Sequence, residues 1–228
     1  MQPIKEMLIN DIKIYIRKII FINSCIEIYD NYIFCKSAFT EEVNIAVTFF
    51  EVTKMAMAHT IMIETAKLFE DDSDVKNIKK LINCCATNYR LLGNELVRRE
   101  IVEHNGEQVV NKHIEKISVL DIARQFDLEY SGFDPILQNL ETQRNKYFAH
   151  NDNSFFGNQD ELRNTNPVNL ADVRLLINFA TKVCNTFMSI LNDGHTWEPV
   201  YKRAGDILNL FAALQKYRNG VPNEQDIK

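Results

Sequence analysis

Apolar positions along this chain recur at helical spacing and almost nowhere with the alternation of a strand. From Lys5 to Cys35, Ile12, Tyr15, Ile16, Ile19 and Ile22 mark one face of a long first helix. Thr40 is a suitable N-cap for a second, with Glu41 and Glu42 in the first turn where the helix dipole favours acids. That helix is predicted to run through Phe49, Phe50, Met55 and Ile63 to Phe69. The acidic run Glu70-Asp71-Asp72-Ser73-Asp74 breaks it, and Asp72 or Ser73 can cap a third helix. This one carries Ile78, Leu81, Ile82, Cys85, Tyr89 and Leu92 and extends to Arg98, Arg99 and Glu100. An Asn-Gly turn signal follows at Asn105-Gly106. The apolar pairs flanking it, Ile101-Val102 and Val109-Val110, are so short that a loop is expected there rather than a hairpin.

A fourth helix is expected from about His113 to Leu128. Asp134 is a good N-cap for the next, and Pro135 suits the first helical position, where its missing N–H costs nothing. The stretch from Asn151 to Val168 is polar and rich in Asn, a long connection of the kind that often carries function. Asn169, with Asp172 behind it, starts a helix through Val173, Leu176, Ile177, Ala180, Val183, Phe187 and Leu191. Pro199 opens a last one through Ile207, Leu208, Phe211 and Leu214. The pattern predicts about seven helices, hence an all-α, single-domain helical bundle over residues 1–228.

Composition agrees with that class. The chain has 228 residues, enough for one good core, and only 7 Gly and 5 Pro to punctuate it, which favours long helices. Lys5, Glu6, Asp11, Lys13, Arg17, Lys18 and Glu27 interrupt the apolar N-terminal segment too often for a membrane span. Five cysteines, odd in number and without a C-x-x-C pair, fit a reduced, cytoplasmic compartment. A net charge of −5 argues against a general electrostatic grip on nucleic acid and leaves room for a local basic site.

One residue breaks the pattern. Ile136, Leu137, Leu140, Tyr147 and Phe148 share one face of the helix after Asp134, and Arg144 falls near the middle of it. A guanidinium keeps its charge in a protein, so a buried one must find a carboxylate, a partner chain, a ligand or water. His150 lies on the flank of the same stripe, about 9 Å further along the axis.

Arg144 and His150, five residues apart with Asn145 directly after the arginine, sit in a run from Gln143 to Asp152 that closes Ala149-His150-Asn151-Asp152. With the helix Glu42 to Phe69 ending in an acidic turn, and the late helix Val173 to Leu191, this run resembles the HEPN superfamily (higher eukaryotes and prokaryotes nucleotide-binding). More narrowly, the chain looks like the abortive-infection U type of HEPN protein found in bacterial phage defence, over residues 36–214. The resemblance implies a metal-independent endoribonuclease without cofactor, acting as a homodimer whose motif helices face each other. His150 is then the base that takes the RNA 2′-hydroxyl proton or the acid for the leaving oxygen, and Arg144 neutralises charge on the phosphate. Asn145 orients His150 or a phosphate oxygen, and Lys146, Asp152, Arg98 and Arg99 are candidates for substrate contact. RNA is the expected substrate, and an antitoxin or other defence-system protein the expected partner. HEPN toxins controlled by nucleotidylation typically carry a Tyr two residues after the His. Asp152 stands there, which argues against that control and leaves Asp152 to hydrogen-bond His150 or Arg144.

Blander roles compete with each of these. Arg144 can be a structural ion pair with an acid of another helix, and His150 a helix-terminal residue meeting the last carbonyls. The chain can then be a catalytically silent HEPN module that binds RNA, a nucleotide or a protein, or a structural dimerisation bundle. Cys84-Cys85 reads as buried rather than redox-active.

Overall fold

The structure is a computed structural model that describes residues 2–70, 74–92, 99–104, 107–112, 118–145, 167–191 and 206–220, the two middle strands by their backbone. Its elements are α1 Gln2–Ala38, α2 Thr40–Ile45, α3 Val47–Phe69, α4 Ile78–Thr87, α5 Tyr89–Leu92, β1 Arg99–His104, β2 Glu107–Lys112, α6 Val119–Ser131, α7 Asp134–Gln143, α8 Leu170–Leu191 and α9 Asp206–Gly220. Helices carry the fold, as the periodicity predicts, and β1 with β2 is the one departure among the described residues. There the expected loop is an antiparallel hairpin with Arg99 opposite Lys112, Ile101 opposite Val110 and Val102 opposite Val109. The Asn-Gly signal in the sequence and the β-branched residues beside it outweigh the shortness of the apolar arms.

The chain folds into two compact units. The first comprises Met1–Ile19 and Thr65–Glu198, the second Ile20–Glu64 and Pro199–Lys228.

The first unit is built on α8. Val173, Leu176, Ile177, Ala180, Val183, Cys184 and Phe187 repeat at helical spacing, and none is more than 1% exposed. Its start is a reciprocal cap: the Asp172 N–H donates to Asn169 Oδ1 at 3.0 Å and the Asn169 N–H to Asp172 Oδ2 at 2.9 Å. Phe126 meets Phe187 edge to face at 5.6 Å and Phe179 at 6.0 Å, while Tyr130 and Phe133 also pack on Phe179. Burial pushes the Cys85 and Cys184 thiols well above their ordinary range, so neither is poised for redox chemistry.

The second unit has a small core of Tyr32, Cys35, Val43, Phe50 and Phe211. Phe211 on α9 is fully buried, stacked on Phe39 at 5.6 Å and tilted on Phe50 at 5.1 Å. Arg218 of α9 pairs with Glu41, and its Nη1 lies 3.2 Å from Oε1 of the buried Glu42. That last contact is ionic without hydrogen-bond alignment. Glu51 accepts from Lys36 at 2.7 Å, Lys54 at 2.5 Å and Tyr32 at 3.1 Å.

Several boundaries differ from the expected ones. The helix predicted from Thr40 to Phe69 breaks at Ala46, whose backbone (φ −142°, ψ 51°) leaves the helical region. Thr40 is inside α2, its hydroxyl donating to the Lys36 carbonyl, and Phe39 precedes the helix instead. Asn77 rather than Asp72 or Ser73 caps α4, with Oδ1 accepting from the Lys80 N–H at 2.7 Å. Ser118 caps α6, later than the expected start near His113, and Phe133 rather than Asp134 precedes α7. Among the described residues no helix is long and apolar enough to cross a membrane.

Candidate functional site

Leu140 is buried on α7, with Ile136 and Leu137 half-buried on the same apolar face as expected. At its end the backbone widens into a π turn at Arg144 and Asn145. Such turns break the regular side-chain spacing and occur often at functional sites. Arg144 retains only 18% of its side-chain exposure and meets two partners. Its Nη1 pairs with Oε1 of Glu70 at 2.5 Å, and its Nε donates to Asn145 Oδ1 at 2.9 Å. The buried charge is thereby satisfied by one carboxylate and one amide oxygen.

Glu70 is placed with care. It follows the last residue of α3, where two other elements hold the backbone. Tyr130 on α6 donates its hydroxyl to the Phe69 carbonyl at 3.3 Å, and Asn77 Nδ2 donates to the Glu70 carbonyl at 2.5 Å. Asn77 is itself fully buried, and its own carbonyl accepts from the Tyr15 hydroxyl at 3.2 Å. Burial, with the charge of Asp11 adding to it, raises the Tyr15 pKa far above its ordinary value, so this hydroxyl stays a donor. Glu70 is thus pinned where its carboxylate faces Arg144.

Beside this pair lies a cavity of about 150 Å³. Ala66, Phe69, Tyr130, Leu137 and Leu140 form the apolar part of its lining. Glu70 and Arg144, with Asp134, Gln138 and Glu141 of α7, supply its charged and amide groups.

Of the residues singled out in the sequence, Arg144 and Asn145 are together, with Asn145 orienting the arginine rather than shown against a histidine. Arg99 opens β1 by its backbone, opposite Lys112. Lys146, His150, Asp152 and Arg98 lie outside the described residues, as do Tyr147 and Phe148. Glu70 was not among the candidates, although it heads the acidic run that ends the α3 pattern. Gln138 and Glu141 are not among the sequence candidates either, and Asp134 enters there only as an N-cap.

A helical chain with an Arg-Asn pair at a helix end, anchored to Glu70 just after an earlier helix, fits the HEPN class. The match to known families is direct: the HEPN family model AbiU2 covers residues 16–211, and the chain belongs to that family, an abortive-infection HEPN type. No curated protein and no solved structure matched the chain.

Proposed function

We propose that this chain is a metal-independent endoribonuclease of bacterial phage defence, working in the cytoplasm as a homodimer in which each single-domain chain contributes its motif helix to a shared site. The observation that carries the proposal is Arg144, a guanidinium held half-buried by Glu70 and Asn145 at a π turn beside an open cavity. A pre-oriented guanidinium stabilises charge on phosphate oxygens without reorganising during the reaction. His150 then serves as base for the 2′-hydroxyl or acid for the 5′-oxygen, with Lys146, Asp152, Arg98 and Arg99 contacting RNA. An antitoxin or other defence-system protein restrains the activity.

The 2.5 Å pair with Glu70 also favours a second reading. It satisfies Arg144 by itself, as a structural ion pair in a catalytically silent HEPN module would. RNA cleavage in EDTA separates the two. In the first reading, purified protein cuts RNA, and Arg144→Ala and His150→Ala, both folded and dimeric, do not. Cleavage unchanged in both variants rejects the catalytic roles of Arg144 and His150.

A further inference from the structure

We infer that the cavity beside Arg144 is a nucleobase subsite that takes a single-ring base bearing an exocyclic amine, cytosine in preference to uracil. The inference rests on the ribonuclease reading, since Arg144 would bind the phosphate attached to that nucleotide.

Size and walls come first. About 150 Å³ is the volume of a cavity that accepts one six-membered ring. Phe69, Tyr130, Leu137 and Leu140 give it aromatic and aliphatic walls, suited to a flat apolar face. Arg144 on the same lining places the phosphate at the edge of the space, within one nucleotide of the base.

Polarity decides which base. Asp134, Gln138 and Glu141 lie at i, i+4 and i+7 on one face of α7, and all three are exposed at the lining. Ionised carboxylates only accept hydrogen bonds, whereas the Gln138 amide both donates and accepts. Cytosine offers an N4 amine to a carboxylate and N3 and O2 acceptors to an amide donor. Uracil has its donor at N3–H instead, so a carboxylate placed to receive the exocyclic amine of cytosine faces the O4 acceptor of uracil. The carboxylates also repel phosphate from the cavity itself, so a nucleotide enters base first.

The test compares binding of cytidine 3′-monophosphate and uridine 3′-monophosphate to the full chain by titration calorimetry, with cleavage of poly(C) and poly(U) followed in the same preparations. Cytidine 3′-monophosphate is expected to bind about tenfold more tightly, the scale of one net hydrogen bond. Glu141→Gln, an exposed change, is expected to bring the ratio toward one. Leu137→Trp, which fills the cavity, should abolish the preference. Equal binding of the two nucleotides, or a preference that survives both substitutions, overturns the subsite. If neither homopolymer is cut but the cytidine preference holds and responds to both substitutions, the ribonuclease reading fails and the subsite stands. Cleavage of both polymers without base preference does the reverse.

Discussion

Replacing Glu70 with alanine removes the only carboxylate that the described residues bring to Arg144. Losing one partner of a fully buried ion pair costs about 3–5 kcal/mol, because the remaining charge is left unpaired. Here the side chains of Arg144 and Glu70 keep 18% and 23% of their exposure, and Arg144 keeps its bond to Asn145. Water can therefore reach the abandoned guanidinium, and the expected loss is about 2 kcal/mol. For a chain of 228 residues that lowers the melting temperature by about 4–8 °C. A double-mutant cycle with Arg144→Ala isolates the pair, since Asn77 and Tyr130 still hold the Phe69–Glu70 backbone in every variant. Urea unfolding of the four proteins should give a coupling of about 1.5 kcal/mol. A coupling below about 0.5 kcal/mol, the range of exposed pairs, would refute the picture of a guanidinium fixed by Glu70.

Arg218→Ala should cost about 3 kcal/mol, because it leaves the 2%-exposed Glu42 carboxylate without its cation. Adding Glu42→Gln should recover most of that, and thermal unfolding showing no recovery would contradict the assignment. Glu51 makes an acid-sensitive contribution. Hydrogen bonds from Lys36, Lys54 and Tyr32 lower its pKa from the ordinary 4.5 to about 2. A folded pKa below the unfolded one means the stabilisation is complete above about pH 4.5 and disappears as pH falls toward 2. Glu51→Gln should thus be less stable than the parent at pH 7, with the gap narrowing steadily below about pH 4.5 and closing only near pH 2 in urea titrations. A gap that stays constant with pH would show that the three hydrogen bonds do not act through the charge.

Much of this architecture is legible in the chain, for identifiable reasons. The α8 stripe and its Asn169–Asp172 cap are local, so sequence fixes both ends within a residue or two. The break at Ala46 has no local signal: Ile45 and Val47 continue the apolar pattern, and neither Gly nor Pro intervenes. The start of α4 offered several capping side chains within a few residues, and only Asn77, buried and bonded to Glu70, could show which is used. The hairpin was signalled by Asn105-Gly106, but its six-residue strands extend past the apolar pairs into polar sequence. As for the site, an arginine on an apolar face announces that it needs a carboxylate. Which carboxylate depends on the packing of α3, α6 and α7, and Glu70 lies far from Arg144 in sequence.

The chemistry itself has a direct test. An RNA oligonucleotide that the protein cleaves at one position is resynthesised with a single 2′-deoxynucleotide at that position, and the ends of all products are identified in EDTA. If the 2′-hydroxyl is the nucleophile, the parent RNA yields a 2′,3′-cyclic phosphate and a 5′-hydroxyl, and the substituted RNA is not cut there. Cleavage of the 2′-deoxy position, or products ending in a 5′-phosphate, would contradict the account.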